Sequence, residues 1–288
     1  MQFIALTVIQ IVDSVASLAL IAFGLAVIFG MMRVINLAHG EFIMLGGFTT
    51  LYATQLGINV WVAMLVVAPL VVGAVGVVVE RLIMRHLYGR MVDTMLASWG
   101  LSLLLIGLAT QLFGNSVQGI SAPMGSFSLG EFQVSLYDQF LVLVCVLLFA
   151  AGYLLLRHTR LGLIARATMQ NPQMAASLGI ARSRVFACTF ALGAALSGLA
   201  GALLAPLSGV LPTMGAAYVA KAFITVITGG ASVITGTALS ASLLGSIGTA
   251  TTFLSNPILG DVALLLAAIL LLRVLPTGIT GKILRGTP

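Results

Sequence analysis

Residues 157–184 read RHTRLGLIARATMQNPQMAASLGIARSR and form the only long polar interruption in the middle of an otherwise apolar chain. The stretch has no acidic residue and holds five of the 13 Lys and Arg residues, namely Arg157, Arg160, Arg166, Arg182 and Arg184. Basic loops between apolar spans stay on the cytoplasmic side of a membrane. The stretch is therefore predicted to be a cytoplasmic loop between two membrane spans.

A short helix is predicted inside this loop. Asn171 can cap exposed backbone N–H groups, and Pro172 has the preset φ that suits the first helical position. The following residues, QMAASLG, continue the helix to about Gly179. Two roles are open for a helix with basic flanks: docking onto another cytoplasmic protein, or anchoring at lipid headgroups.

The composition excludes a water-soluble protein. Of the 288 residues, 60% are hydrophobic and 7% are charged, whereas a soluble domain has about a quarter charged residues. The net charge of +6 comes from basic residues in short loops between apolar runs. That arrangement orients a membrane protein and is not typical of a phosphate-binding patch, so nucleic acid is not an expected partner.

Apolar runs without charges predict the spans, because a bilayer core of about 30 Å takes about 20 helical residues. The division gives a polytopic all-α bundle of eight or nine membrane segments, in one transmembrane domain over 1–288. The runs are 14–32, 42–79 with a break at 57–59, 94–113, 139–156, 185–220 with a break near 206–215, 222–260 with a break at 229–230 or 236, and 261–272.

The loop charges predict the sidedness of the chain. Segment 80–90 has three arginines and segment 273–285 has three basic residues, so both are predicted to be cytoplasmic. Segment 114–138 has Glu131, Asp138 and no base, and is predicted to be an outer loop. Arg33 follows the first span, which places the N-terminus outside on strict alternation; a broken or re-entrant first helix would reverse this.

The densest polar group near membrane depth is Asn36, His39 and Glu41, in RVINLAHGEF at 33–42. Ionisable residues in such a position are costly and suggest function, here a translocation path; a junction at the headgroup layer is the alternative. Gly229 and Gly230 are a further path candidate, as an interrupted helix that lines a cavity, or are ordinary helix packing. Of two isolated charges, Lys221 is predicted to be an interfacial anchor, and Asp13 has no evident partner.

Small residues recur every four positions at Gly193, Ser197 and Gly201, which lets helix backbones approach closely. No metal pair is predicted, because His39 and Glu41 do not share a helical face. The chain has no GxxxxGK[ST] loop, and no Ser/His/Asp or Cys/His set stands out. We therefore expect no catalytic residue, no cofactor and no enzymatic activity in this chain.

Four stretches carry a family resemblance: RVINLAHGEFIMLGG at 33–47, TRLGLIARATMQNPQMAASLGI at 159–180, FALGAALSGLAGALL at 190–204 and LPTGITGK at 275–282. On them, the chain resembles the LivH family, the permeases of branched-chain amino-acid ABC importers, which includes the UrtB urea permeases. The resemblance implies a type II-like importer permease, multi-pass in the bacterial inner membrane. It also implies a second LivM-like permease, two LivG/LivF-like ATPases that bind the ATP, and a periplasmic substrate-binding protein.

The resemblance assigns coupling to the ATPases to the helix at Pro172–Gly179 and favours docking over anchoring. The implied coupling residues are Arg166, Asn171, Pro172, Ala175, Ala176 and Gly179. The implied substrates are branched-chain or other small amino acids, with urea or short amides as the alternative. Ala231 stands where a third glycine is expected in FITVITGGASVITGT at 223–237, which weakens a precise substrate assignment. A stand-alone secondary transporter and a structural scaffold are further alternatives.

Overall fold

The computed structural model describes residues 2–130, 132–230 and 232–285. Glu131 in the predicted outer loop and Ala231 in the predicted substrate signature lie outside these residues. The helices are α1 (Gln2–Met32), α2 (His39–Gln55), α3 (Val60–Val62), α4 (Ala68–Leu82), α5 (Met91–Phe113), α6 (Leu136–His158), α7 (Arg160–Gln170), α8 (Pro172–Ser177), α9 (Arg182–Ser208), α10 (Met214–Gly229), α11 (Val233–Leu254), α12 (Pro257–Val274) and α13 (Gly278–Arg285).

A π-helical turn (Ala63–Val67) joins α3 to α4, and a 3-10 turn (Met84–His86) follows α4. Across the described residues, seven helical segments are long and apolar enough to cross a membrane. One shorter apolar helix, α10 with 16 residues, brings the number in the described residues to eight. The predicted all-α polytopic bundle is confirmed, and the predicted eight or nine segments agree with it approximately.

The breaks that glycine predicted are found where expected. Gly57 has a φ of +86° between α2 and α3, and Gly230 has a φ of +85° between α10 and α11. Glycine populates this left-handed region without the steric cost that a Cβ brings. The break in 222–260 therefore lies at Gly229-Gly230, and Gly236 belongs to α11.

Three predicted boundaries were wrong. The first helix begins at Gln2 and not at 14, so Asp13 lies inside α1. The basic segment 80–90 is partly helical, because Glu80 and Arg81 belong to the last turns of α4. The last span begins at Pro257 and not at Asp261, because Asn256 caps α12 by accepting from the Leu259 N–H and proline suits the first turn.

The predicted outer loop contains an antiparallel β-hairpin of β1 (Ser126–Leu129) and β2 (Phe132–Ser135). The Ser126 hydroxyl donates a cross-strand hydrogen bond to Gln133 Oε1 at 2.8 Å. These strands were not predicted, because the Gly, Ser and Pro residues around them indicated only a loop.

The described residues cluster into two compact units. The central unit consists of Phe23–Ser121 and Ala151–Ala220, and the other described residues form the second unit. The core of the central unit is α9, against which α2 and α4 pack. A Cβ at Gly201 of α9 would lie 1.8 Å from the Ile43 carbonyl oxygen of α2, and a Cβ at Gly198 would lie 2.6 Å from Val72 Cβ of α4. The predicted close approach of backbones along the small-residue stripe is confirmed.

In the second unit, α11 packs against α12 and α13. A Cβ at Gly260 would lie 1.9 Å from the Thr252 hydroxyl oxygen, so α11 and α12 also meet through small residues. Whether the two units act as the single transmembrane domain predicted over 1–288 stays a prediction.

Candidate functional site

The chain breaks between α1 and α2, at residues 33–38. Arg33 has a φ of +51°, which lies in the left-handed region that residues with a Cβ rarely adopt. Such strained backbone conformations cluster at functional sites. Ser98 of α5 stabilises the break: its hydroxyl oxygen accepts from the Leu37 N–H at 3.0 Å and lies 3.5 Å from the Ile35 carbonyl. The non-helical backbone at this break is therefore held by side-chain hydrogen bonds.

The three polar residues that the sequence singled out meet around this break. The Asn36 side-chain oxygen accepts from the Ala38 N–H at 3.1 Å. His39 Nδ1 lies 3.1 Å from the Ser197 hydroxyl of α9, and the Ser102 side chain of α5 lies near the Glu41 carboxyl group. We call Asn36, His39, Glu41 and their serine partners Ser98, Ser102 and Ser197 the polar cluster.

The ring proton of His39 can be placed from these contacts. Ser197 Oγ also donates to the Gly193 carbonyl at 2.8 Å. A hydroxyl has a single proton, so Ser197 accepts its second hydrogen bond, which assigns a proton to His39 Nδ1.

The polar cluster lies well inside the bundle. Asn36 and His39 are 0% exposed and Glu41 is 2% exposed. Ser98 and Ser102 lie two to three turns into α5, and Ser197 lies near the middle of α9. Asn36 lies in the break and His39 and Glu41 lie in the first turn of α2, so the choice between a translocation path and a junction at the headgroup layer stays a prediction.

Two buried polar atoms of the cluster have no hydrogen-bond partner in the described part of the chain: Asn36 Nδ2, a donor, and Glu41 Oε2, an acceptor. A buried polar group without a partner costs about 1–3 kcal/mol. A ligand with one acceptor and one donor could satisfy both atoms.

The other candidate pair, Gly229 and Gly230, lies in the second unit and packs against backbone. A Cβ at Gly229 would lie 2.7 Å from the Gly236 backbone, and a Cβ at Gly230 would lie 2.6 Å from the Thr277 carbonyl oxygen. Thr280 of α13 joins this break by donating to the Gly229 carbonyl at 2.7 Å and accepting from the Ser232 N–H at 3.1 Å. The contacts give the pair a packing role, and its place in a path stays a prediction.

The predicted cytoplasmic helix is α8, and both of its ends are capped. Asn171 Oδ1 accepts from the backbone N–H groups of Gln173 and Met174 at 3.1 and 3.0 Å, and Pro172 takes the first position. At the other end, Gly179 has a φ of +84°. The Gly179 N–H donates to the Ala176 carbonyl and the Ile180 N–H to the Ala175 carbonyl, which is the Schellman motif.

The helix α8 has one buried and one exposed side. Ala175 is 3% exposed and packs inward, whereas Ala176 is exposed. On the exposed side, Met174 of α8 and Leu178, the residue that follows its last turn, are 59% and 74% exposed. Large apolar side chains exposed in a polar loop often mark an interaction surface.

The rest of loop 157–184 is more helical than the sequence predicted. Thr159 caps α7 by accepting from the Gly162 N–H at 3.0 Å. Arg166 lies on α7, with its Nε 3.4 Å from the Gly162 carbonyl and its side chain otherwise exposed. The loop is therefore two capped helices in series, which connect α6 to α9.

Both isolated charges have partners in the second unit. Lys221 Nζ lies 2.7 Å from Asp261 Oδ1, so the lysine is not an isolated charge but forms an ion pair between α10 and α12; its role as an interfacial anchor stays a prediction. The Gln139 side-chain amide of α6 donates to Asp13 at 3.0 Å, which supplies the partner that the sequence did not reveal.

Sequence reasoning missed the serines of the polar cluster and the apolar side chains of α8. Ser197 was recognised only as a small packing residue. Ser98 and Ser102 lie four positions apart, which is one helical face, and that spacing could have suggested a polar stripe on α5. Met174 and Leu178 have the same spacing across the end of α8.

Comparisons with known proteins agree with this architecture. A family model described as the permease component of the branched-chain amino acid transport system matches residues 7–275. BraD of Pseudomonas aeruginosa, a high-affinity branched-chain amino acid transport permease, is 31% identical over 92% of this chain and 91% of its own. LivH of Escherichia coli K12, also a high-affinity branched-chain amino acid transport permease, is 29% identical over 92% of this chain and 91% of its own.

A further relative has a similar identity and coverage. The probable branched-chain amino acid transport permease LivH of Methanocaldococcus jannaschii is 29% identical over 92% of this chain and 88% of its own. No solved structure gives a significant match to the chain.

Proposed function

Because this chain belongs to the family of permease components of branched-chain amino acid transport systems, we propose that it carries branched-chain or other small amino acids in an importer driven by separate ATPase subunits. It is a multi-pass inner-membrane protein and a permease subunit of an amino-acid importer. The further elements of the proposal are a second LivM-like permease, two LivG/LivF-like ATPases and a periplasmic binding protein. No cofactor is proposed for the chain itself.

The observation that carries the coupling part of the proposal is the capped helix α8 with its exposed apolar face. Caps at both ends make a six-residue helix a stable unit, although helices of this length are marginal alone. The caps therefore hold Met174 and Leu178 in one fixed arrangement. A fixed apolar surface of this kind suits insertion into a groove of a partner protein. The proposed partner is an ATPase subunit.

Force from an ATPase would reach the membrane through short connections. In the chain, α8 is joined to α9 by residues 178–181 and to α6 by the capped helix α7. Movement of α8 would therefore tilt α6 and α9, and Ser197 on α9 contacts His39 at the start of α2. The polar cluster is thus mechanically connected to the coupling helix.

The polar cluster is the proposed part of the translocation path in this chain. Transporter sites are commonly formed near the bilayer midplane by discontinuous helices, and the break at residues 33–38 is such a discontinuity. Asn36 Nδ2 could donate to the carboxylate of an amino acid, and Glu41 Oε2 could accept from its ammonium group. In the closed arrangement both atoms are buried, so binding needs the cluster to open.

The docking proposal is tested with Leu178→Glu in the assembled importer. We expect ATPase subunits to dissociate from the permease and ATP-driven uptake to fall at least about tenfold, because a charge placed in an apolar groove is costly. Leu56→Glu is the matched control, because Leu56 is 82% exposed in the loop between α2 and α3. Unchanged co-purification and uptake for Leu178→Glu would overturn the docking proposal.

The path proposal is tested with Glu41→Gln, which keeps the shape of the side chain and removes the charge. We expect uptake of leucine, isoleucine and valine to fall at least about tenfold while the assembled complex and its basal ATP hydrolysis persist. Parallel uptake of labelled urea tests the substrate class. Uptake of urea in preference to all amino acids would contradict the proposed substrate, and normal amino-acid uptake by the variant would remove Glu41 from the path.

A further inference from the structure

In the second unit, α11 and the part of α10 from Lys221 onward form a helical hairpin whose two arms are in direct contact. A Cβ at Gly229 would lie 2.7 Å from the Gly236 backbone, and a Cβ at Gly236 would lie 2.6 Å from the Gly229 carbonyl oxygen. Beside this contact, the buried Thr228 hydroxyl is hydrogen-bonded to the buried Ser240 hydroxyl of α11. Because only backbone and short side chains separate the arms, the hairpin is expected to move as one body.

The tip of this hairpin, formed by Gly229, Gly230 and Ser232, has interrupted helical hydrogen bonding. In a continuous helix, the Gly229 carbonyl and the Ser232 N–H would each bond a residue four positions away. Thr280 of α13 replaces both bonds, because its hydroxyl donates to the Gly229 carbonyl at 2.7 Å and accepts from the Ser232 N–H at 3.1 Å. A hydroxyl group can donate and accept at the same time. One side chain of another helix therefore satisfies both ends of the break.

The backbone of α13 also lies directly against the tip. A Cβ at Gly278 would lie 2.5 Å from Gly230 Cα, and a Cβ at Gly230 would lie 2.6 Å from the Thr277 carbonyl oxygen. Gly278 and Thr280 are both buried in this contact. The first turn of α13 thus covers the tip with backbone and one hydroxyl group.

Few apolar contacts hold α13 in this position. Among its described side chains, at 278–281, Ile279 is the only large apolar one, and it is half-buried. The connection from α12 is exposed at Pro276 and Thr277. Each hydrogen bond shifts an equilibrium by about a factor of ten at most, and regions with few buried apolar contacts open most easily. The contact between α13 and the tip is therefore one that can open while the helices themselves stay folded.

The tip lies at the end of the hairpin that is predicted to be cytoplasmic. Segment 273–285, which contains α13, has three basic residues and is predicted to be on that side. The 22 residues of α11 extend about 33 Å at 1.5 Å per residue, close to the thickness of a bilayer core. The first turn of α11 and the tip are then at the cytoplasmic end of this span, which is the side to which an importer delivers its substrate.

We propose that α13 is a latch on the hairpin: Thr280 holds the tip closed in the arrangement seen here, and α13 leaves the tip when substrate is released to the cytoplasm. Thr280 is a positioning residue in this proposal, because it acts through the tip and does not contact the substrate. The inference rests on the proposed transport function. It does not depend on which solute is carried.

A reversible cross-link tests whether the latch has to open. In a chain with Cys145→Ala and Cys188→Ala, the pair Ser232→Cys/Thr280→Cys is oxidised to join α13 to the tip, and loss of free thiols shows that the bond has formed. We expect oxidation to lower ATP-driven amino-acid uptake by the assembled importer at least about tenfold, because the open state is no longer populated. Reduction should restore uptake. Equal uptake by the oxidised and reduced forms overturns the proposal, and so does failure of the two thiols to cross-link.

The matched control joins the two arms of the hairpin instead. In the same background, Thr228→Cys/Ser240→Cys links side chains that are already in contact and leaves α13 free. Because the hairpin moves as one body, the oxidised and reduced forms of this variant should take up amino acids at the same rate. A loss of uptake as large as that of the first pair would show that the arms separate, which would overturn the latch.

Thiol accessibility measures the opening itself and needs no transport assay. Thr280 is 4% exposed, and Thr237 of α11 is 1% exposed, with its hydroxyl bonded to the Val233 carbonyl of its own helix. In inside-out vesicles, a membrane-impermeant maleimide should label Thr280→Cys at least about tenfold faster during ATP turnover than without nucleotide, because a buried thiol reacts only from the open state. Thr237→Cys should react at the same slow rate in both conditions.

The two measurements separate the latch from the proposed function. If the wild-type importer takes up no amino acid with ATP while the labelling of Thr280→Cys still rises, the proposed function is wrong and the latch is supported. If uptake is normal and the labelling of Thr280→Cys does not change with ATP, the latch is wrong and the proposed function is unaffected. Faster labelling of both cysteines would indicate general loosening of this unit and would also overturn the latch.

Discussion

At the scale of single residues, the polar cluster depends on serines that were indistinguishable in the sequence from packing residues. Ser98 holds the backbone between α1 and α2, and Ser197 bonds His39. Asn36, His39 and Glu41 were predictable because ionisable and amide side chains are rare in an apolar run. Their partners were not, because a serine in a membrane helix often bonds its own backbone, and only the fold brings α5 and α9 to the break.

We expect Ser197→Ala to destabilise the permease by about 1–3 kcal/mol, because it leaves His39 Nδ1 without its buried partner. Ser242→Ala is the matched control: Ser242 also donates to the carbonyl four residues earlier, but it is exposed. The melting temperature in detergent and the rate of amino-acid uptake should both decrease for Ser197→Ala and stay unchanged for Ser242→Ala. Equal melting of the two variants would mean that the His39 contact contributes nothing.

The Tyr88 and Glu80 pair gives a second prediction at this scale. Glu80 is 2% exposed and accepts from the Tyr88 hydroxyl. Tyr88→Phe should cost about 1–3 kcal/mol, because a buried carboxyl oxygen loses its donor. Tyr218→Phe, which removes an exposed hydrogen bond to Ser208, should cost less. The melting temperatures of the two variants measure the difference. A larger decrease for Tyr218→Phe than for Tyr88→Phe would contradict a stabilising hydrogen bond between Tyr88 and Glu80.

At the scale of elements, glycine decides how closely the central helices pack. The sequence stripe predicted a close approach, and the fold identifies α2 and α4 as the partners. The stripe did not reveal which helices pack against α9, because a helix face of small residues can pack closely against any helix of complementary shape.

Gly201→Ala and Gly100→Ala should have opposite effects on stability. A Cβ at 201 would lie 1.8 Å from the Ile43 carbonyl, whereas a Cβ at 100 meets no atom within 4 Å. The first change should destabilise by about 1–3 kcal/mol through overpacking, and the second should stabilise by up to about 1 kcal/mol, as alanine favours helix. The melting temperature in detergent measures both effects. An unchanged melting temperature for Gly201→Ala would contradict the close packing of α2 against α9.

The caps of α8 make a prediction about coupling. Asn171→Ala removes two cap hydrogen bonds and should weaken the helix by about 1 kcal/mol, whereas Asn171→Ser keeps an acceptor. Hydrogen exchange of residues 172–177 in the assembled importer should become faster for the alanine variant, and uptake per ATP hydrolysed should fall. The serine variant should match the wild type. Equal exchange in all three proteins would show that the cap does not order α8.

At the scale of the whole molecule, the residues themselves predicted a polytopic helical membrane protein with a short helix in a basic loop, and both features depend on local signals. Hydrophobic length, Asn171-Pro172 and Gly179 act within a few residues, so no tertiary information is needed. The pairing of Lys221 with Asp261 and of Asp13 with Gln139 joins distant parts of the chain, and a single sequence contains no signal for such contacts. The β-hairpin escaped prediction because loop composition is compatible with several local structures.

The most direct test of the central claim is solute uptake into liposomes by the purified permease pair, with and without the ATPase subunits and ATP. The account predicts that branched-chain amino acids enter only when ATPases, ATP and the binding protein are present, and that Leu178→Glu lowers this uptake at least about tenfold. Uptake at the same rate by the permeases alone, without nucleotide, would contradict a permease that receives mechanical work through α8.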